Sequence, residues 1–314
     1  MFEKKLCKYL FVIFVTFVLK KIVNSSFIKR LKKLKYIMAN QILKGKKGII
    51  FGALDENSIA WQVAEKAFSE GAEFVLSNAP IALRKKDIYT LADKTKSQVI
   101  GADITVVSEL EDLFTESMRI LDSKIDFVLH SVGMSPNVRK GIPYPELNYD
   151  YLMKTLDVSA ISLHKVLSTA WRLDAINIGG SVVALSYIAA QRAYSSYSDM
   201  SQAKAMLESI VRQFGYHYGR TKQVRVNSIS QSPTVTTAGT GVSGFDAFYN
   251  YANDMSPLGN ATAEACADFC ITLFSDYTRM VTMQNLFHDG GYSSMGISNK
   301  LIDQFISCRK IEEK

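Results

Sequence analysis

Gly48-Ile49-Ile50-Phe51-Gly52-Ala53-Leu54-Asp55-Glu56-Asn57-Ser58-Ile59-Ala60-Trp61 decides the fold. Its first five residues are a short β-rich run; a turn follows, and an amphipathic helix runs from about Ser58 to Glu70. The same alternation continues outward. Strand 73–77 leads to a helix over 83–96, strand 98–102 to a helix over 106–121, and strand 125–130 to a long helical stretch over 146–171. Strand 181–186, helix 197–218 and strand 223–229 come next. A glycine-bearing segment, 232–257, reads as irregular, and helix 263–274 and strand 285–288 close the series. Strands alternating with helices imply a parallel sheet covered on both faces. With seven strands in one series, and no linker or internal repeat after residue 38, the pattern predicts a single α/β domain over 38–314. Its architecture is a doubly wound seven-stranded parallel sheet with helices on both faces.

Composition narrows the function. Of 314 residues, 47% are apolar and 21% charged, enough to bury a core and too apolar for disorder. Four cysteines, at 7, 266, 270 and 308, make no CxxC and no disulfide scaffold; Cys266 and Cys270 read as small buried thiols. The net charge of +7 is misleading, because residues 1–37 carry +9 and the other 277 carry −2. Nucleic-acid binding by the body therefore lacks compositional support. His130, His164, His217 and His288 are scattered and match no metal spacing.

A strand, a glycine turn and a helix N-terminus, as at Gly52–Ser58, is where a dinucleotide pyrophosphate sits, on free backbone N–H groups and the helix dipole. The G-x-G-x-x-G fingerprint is absent, so an ordinary βα turn explains this stretch equally well. Asp103 ends the third strand and Ser131-Val132-Gly133 the fourth, on the side where open α/β sheets bind ligands. The sharpest feature is Tyr187, Tyr197 and Lys204. On a helix over 197–218, Lys204 lies two turns after Tyr197, which puts both on one face. A lysine cation there favours the phenolate and can reach a cofactor ribose, and the tyrosine can stabilise or protonate a developing oxyanion. The same helix places Ala203, Leu207, Ile210, Val211 and Phe214 together as core or subunit contact.

From about residue 40 to 298 the chain resembles the divergent short-chain dehydrogenase/reductases, specifically bacterial NADH-dependent enoyl-[acyl-carrier-protein] reductases with a Rossmann-type fold. The resemblance rests on Gly52 with Ser58-Ile59-Ala60, Ser131-Val132-Gly133, Tyr187-x9-Tyr197-x6-Lys204, Val224-Arg225-Val226-Asn227-Ser228-Ile229 and Asp289-Gly290-Gly291. Ordinary short-chain dehydrogenases use Y-x-x-x-K; here Met200 stands four before Lys204, and the six-residue spacing holds instead. The resemblance implies Gly52, Ser58, Ile59, Asp103, Ile104, Val132, Lys204, Thr234, Val235, Thr236, Thr237 and Ala238 as cofactor contacts, and Ser135 beside the substrate. It also implies Tyr187, Tyr197 and Lys204 as the catalytic set.

The implied activity is reduction of the trans-2 double bond of enoyl thioesters on acyl carrier protein, in fatty-acid elongation, by a cytoplasmic homotetramer. A ketone- or alcohol-directed relative is the alternative, and a regulatory protein that kept the fold is a third reading. Ser77-Asn78-Ala79-Pro80 offers neither an acid for a ribose 2′-hydroxyl nor a basic pair for a 2′-phosphate. NADH is favoured, with NADPH left open by Arg84-Lys85-Lys86. The stretch 241–248 lacks the basic residues that relatives can offer the acidic carrier. The apolar and glycine residues of 232–257 suit a lid over cofactor and acyl chain.

Residues 1–37 differ from the rest. The apolar run Tyr9–Leu19 spans about 16 Å as a helix, against roughly 30 Å of hydrocarbon. Three readings compete: an extension outside the fold with Met38 as the working start, a membrane-surface anchor through the basic run 29–35, and a signal peptide. Membrane contact is expected only if this extension is real.

Overall fold

A computed structural model describes residues 40–237, 239–240 and 244–312. The readings made for 1–37 lie outside them. Seven strands form one sheet: β1 (Lys47–Phe51), β2 (Glu73–Asn78), β3 (Gln98–Gly101), β4 (Ile125–His130), β5 (Ile176–Ser186), β6 (Arg225–Gln231) and β7 (Asn285–His288). Their order is β3-β2-β1-β4-β5-β6-β7 and every pairing is parallel, as expected.

Two-residue periodicity divides the core into two layers. Ile49, Phe51, Val128, Val182 and Ala184 face a cluster shared with α3 (Val107–Leu121), α5 (Ser162–Arg172) and α6 (Met200–Lys222). Ile50, Leu129 and Val183, one residue out of phase, face α1 (Ile59–Ser69), α2 (Asp87–Thr95) and α8 (Ala263–Phe274). Cys266 and Cys270 lie in that second layer as free buried thiols. On α6, Ala203, Leu207 and Val211 are buried, while Ile210 and Phe214 are partly exposed at the layer's edge.

Several boundaries differ from the sequence reading, each for a local reason. The helix expected over 83–96 is a short 3-10 turn, Ala82–Lys85, then α2, because Lys86 takes a left-handed conformation between them. The helix expected over 146–171 starts at α4 (Tyr149–Leu156), where the Asn148 side chain accepts from the Tyr151 N–H. A π-helical segment, Asp157–Ile161, joins it to α5. Strand β5 begins five residues earlier than expected; Gly179 and Gly180 mark an irregularity in the β4–β5 register, not a strand end. The segment 232–257, expected to be irregular, contains α7 (Phe245–Met255), and α9 (Asn299–Glu312) follows the body. Among the described residues, no helix is long and apolar enough to cross a membrane.

One difference reaches the site. Tyr197 is not on helix α6. It ends a 3-10 turn, Ser195–Tyr197; Ser198 then reverses the backbone at φ 45°, ψ −132°, and α6 starts only at Met200. Two helical turns therefore do not relate Tyr197 to Lys204, although both residues line one cavity.

Candidate active site

Strand order reverses between β1 and β4, so a crevice opens at their C-terminal ends. Gly52 stands there at φ 95°, and a Cβ on it would lie 2.1 Å from the Ser131 carbonyl oxygen, so only glycine fits. Asn78 ties β2 to the turn by donating to the Ala53 carbonyl at 3.0 Å. The Ser58 hydroxyl donates to the Asp55 carbonyl (2.7 Å) and accepts from the Leu54 N–H (3.2 Å). It stands at the N-cap of α1 without capping it, which leaves the Ile59 and Ala60 amides as donors for an anion.

Beside this turn lies a cavity of about 260 Å³. Ile59 and Ser131–Ser135 line one side; Tyr187, Tyr197 and Lys204 line another; Thr234 and Thr236 close over it with Phe245 and Phe248 of α7. The Tyr187 ring centroid is 5.0 Å from that of Tyr197, 5.5 Å from Tyr194 and 6.0 Å from Phe248, an aromatic wall. The Tyr194 hydroxyl donates to Tyr292 at 2.7 Å. Tyr292 is held by Asp289, whose carboxylate accepts from the Gly291 and Ser293 N–H groups, so Asp289-Gly290-Gly291 buttresses that wall.

Lys204 is buried, and its ammonium donates to the Leu185 carbonyl at 2.7 Å. Burial lowers its pKa to about 8, with Glu208 one turn on pulling the other way. Burial raises the pKa of Tyr197 and keeps it a phenol. Tyr187 is raised further, by burial and then by its tyrosine neighbours, and its buried hydroxyl lacks a hydrogen-bond partner. His130, at the end of β4, is held neutral at a pKa of about 3 by burial first and Lys204 second. Its Nε2 contacts Ser162 Oγ at 2.9 Å, and that hydroxyl's proton goes to the Val158 carbonyl, so Nε2 carries the hydrogen.

The cavity thus gathers Ile59, Val132, Ser135, Tyr187, Tyr197, Lys204, Thr234 and Thr236, with Gly52 and Ser58 in the adjoining turn. The remaining expected residues lie elsewhere. Asp103 sits past the end of β3, its carboxylate accepting from both the N–H and the hydroxyl of Thr105. Ile104 is core. Val235 is exposed, Thr237 donates to Asp55 at 2.7 Å, and Ala238 lies outside the described residues. Ser135 lines the cavity, but its hydroxyl donates to Asp199 (2.6 Å) and accepts from the Val138 N–H (3.0 Å). The run Val224–Ile229 serves the fold: Arg225 donates to the Leu273 carbonyl and Asn227 to the Val281 carbonyl. Sequence reasoning missed Tyr194 and Asp199, whereas Phe245 and Phe248 belong to the apolar set expected over 232–257. A cluster of tyrosines over 187–197 was the signal for Tyr194; nothing in the pattern marked Asp199.

Phosphate-seeking amides on one bank of the crevice, and a buried phenol and cation on the other, suit the holding of a dinucleotide against a small substrate. By fold and site the chain is a Rossmann-type oxidoreductase. The family profile described as Enoyl-(Acyl carrier protein) reductase matches residues 52–293. An enoyl-[acyl-carrier-protein] reductase [NADH] 2 from Rhizobium meliloti is 31% identical over 81% of this chain and 94% of that protein. A crystal structure of a FabI–NADH complex from Alistipes finegoldii superposes with a TM-score of 0.82 at 60% identity, over 83% of this chain and 92% of that one. A crystal structure of the enoyl-[acyl-carrier-protein] reductase (NADH) from Aquifex aeolicus gives a TM-score of 0.75 at 28% identity, over 82% of this chain and 99% of that one. The chain belongs to the enoyl-(acyl carrier protein) reductase family.

Proposed function

We propose that the chain reduces the trans-2 double bond of enoyl thioesters on acyl carrier protein in fatty-acid elongation, using NADH, with Tyr187, Tyr197 and Lys204 as its catalytic set. The observation that carries this reading is the convergence of those three side chains, one after β5, one on the turn Ser195–Tyr197 and one on α6, on one cavity at the switch point of the sheet. The residues fit a nicotinamide dinucleotide: Gly52 lets the β1 turn run close against Ser131 at the mouth of the crevice, and the Ile59 and Ala60 amides at the start of α1 are donors for a pyrophosphate.

NADH, when bound, supplies the hydride for the β-carbon of the enoyl group. Negative charge then develops on the thioester oxygen, and the chain's part is to stabilise it. Tyr197, kept protonated by burial, donates a hydrogen bond to that oxygen and is the proton source. Lys204, fixed by the Leu185 carbonyl, has further N–H donors for the nicotinamide ribose and keeps the local field positive. Tyr187 closes the pocket beside the reacting carbons, its unpartnered hydroxyl free for a ligand oxygen. The aromatic wall excludes water and accommodates the acyl chain. Gly52, Ser58, Ile59, Val132, Thr234 and Thr236 serve the cofactor.

Residues 38–314 make up the reductase domain, working in the cytoplasm, where NADH and carrier protein are found. Assembly is as a homotetramer, with the partly exposed Ile210 and Phe214 of α6 suited to a subunit contact. Helix α7 bears Asp246 and Asp254 and no base, so carrier docking falls to other residues, of which Arg139 lines the cavity.

Purified protein mixed with NADH and crotonyl thioester tests the reading. NADH absorbance should fall only when the enoyl thioester is present. Oxidation with ketones but not with enoyl thioesters would refute it.

A further inference from the structure

Asp199 is fully buried two residues after Tyr197, and no cation pairs with it among the described residues. An isolated buried carboxylate is costly unless donors satisfy it. Here the Ser135 hydroxyl donates to Oδ1 at 2.6 Å and the Asn137 amide to Oδ2 at 2.7 Å. The Thr155 hydroxyl is 2.8 Å from Oδ2 and equally 2.8 Å from the Tyr151 carbonyl, so its one proton is shared between them. Asn137 is otherwise spent on Asn148, donating to its carbonyl and accepting from its N–H, both at 3.2 Å.

These partners belong to distinct segments. Ser135 and Asn137 flank Pro136 in the helical turn Pro136–Arg139, which walls the cavity; Thr155 is on α4. On the far side of Asp199 is Ser198, at φ 45° and ψ −132°, a conformation that side-chain-bearing residues rarely adopt and that persists only where its surroundings enforce it. Tyr197 points into the cavity on one side of that reversal, and Asp199 is anchored on the other.

We propose that Asp199 is a positioning residue: it holds the Ser198 reversal, and through it sets the Tyr197 hydroxyl against the cavity wall formed by Ser135–Val138. This inference rests on the reading of Tyr197 as proton donor. The acyl-side wall and the tyrosine then move as one unit, so geometry at the reacting oxygen depends on a carboxylate that does not touch substrate.

The test is a double-mutant cycle on the full chain with Asp199→Asn and Tyr197→Phe. It is read by kcat and KM on a crotonyl thioester and by NADH binding through fluorescence. Asn keeps the shape of Asp199 but turns an N–H toward groups that are themselves donors. Asp199→Asn should lower kcat by roughly tenfold to a hundredfold, the scale for a slightly misplaced reacting group, with NADH affinity unchanged. In the Tyr197→Phe background the same change should cost less than about threefold more, because its target is gone. Unchanged kcat in Asp199→Asn, or a loss that multiplies in full in both backgrounds, overturns the proposal. Parent-like turnover by Tyr197→Phe alone overturns the reading beneath it instead. Should Asp199→Asn fail to fold, Thr155→Val takes its place in the cycle, with a loss of about two- to tenfold that must likewise vanish in Tyr197→Phe.

Discussion

Replacing Gly52 with alanine puts a methyl group where the main chain of the neighbouring strand already is. The new Cβ would sit 2.1 Å from the Ser131 carbonyl oxygen and 2.8 Å from its carbon, so the backbones must part by about 1 Å to reach ordinary contact. Neither is free to move: the Gly52 N–H donates to the Ser77 carbonyl at 3.1 Å, and β1 and β4 pair from Gly48 through Phe51. Forcing alanine to φ 95° costs about 1–2 kcal/mol, and overpacking about 1–3 kcal/mol more. The total, roughly 2–5 kcal/mol, is a large share of a stability of order 5–15 kcal/mol. Gly141→Ala supplies the control, since Gly141 also has positive φ (63°) but nothing within 4 Å. It should cost only the conformational part, about 1 kcal/mol. Urea unfolding gives both values, and NADH fluorescence gives the second consequence, a loss of affinity in Gly52→Ala alone, because parting β1 from β4 deforms the crevice. A Gly52→Ala protein within about 0.5 kcal/mol of Gly141→Ala and binding NADH as the parent does would refute the steric argument.

Tyr197→Phe should lower kcat by roughly a hundredfold with NADH binding intact, checked by steady-state rates and fluorescence titration; Tyr187→Phe should cost less. Lys204 titrates near pH 8 in the free protein, below its ordinary 10.5, so kcat/KM should decline as pH rises through about 8, and Lys204→Met should abolish that limb. The same depressed pKa gives a stability effect of defined sign. The buried charge is a penalty below pH 8 that is relieved between about 8 and 10.5, so unfolding free energy gains from this group over that window, and Lys204→Met should not show the gain. Thr237→Val, which removes the bond to Asp55, should speed amide exchange over 232–240 and raise KM for NADH by about two- to fivefold; exchange unchanged from the parent would show that this contact holds nothing.

Much of the fold was legible because burial on two faces writes itself into strands as continuous apolar runs, and into helices as stripes. Ile49-Ile50-Phe51 serves both core layers at once, so no other placement satisfies it. The failures came where backbone conformation, not hydrophobic pattern, sets the outcome. Lys86 and Ser198 adopt positive φ without being glycine, which no propensity announces. The strand expected from residue 181 starts at Ile176, and Gly179-Gly180 falls at a register irregularity inside it. Helix α7 was masked by the glycines before it and by a run of aromatic and asparagine residues with poor helix propensity, although Phe245, Ala252 and Met255 keep a helical spacing and are buried.

The tyrosine–lysine pair shows how a motif can be legible while its geometry is not. Read as a helix, a seven-residue interval places both side chains on one face. The structure sets both on one cavity by another route, a 3-10 turn and a reversal at Ser198 ahead of the first residue of α6. A Y-x-x-x-K pair, one turn apart on a continuous helix, needs no such device. Adding three residues between the phenol and the amine moves the tyrosine off the helix, and its position is then only as secure as the turn that carries it. Ser198 has no glycine's freedom to make that turn cheaply. Security must come from whatever grips the next residue, and the three side chains gathered on the Asp199 carboxylate are what the fold provides there.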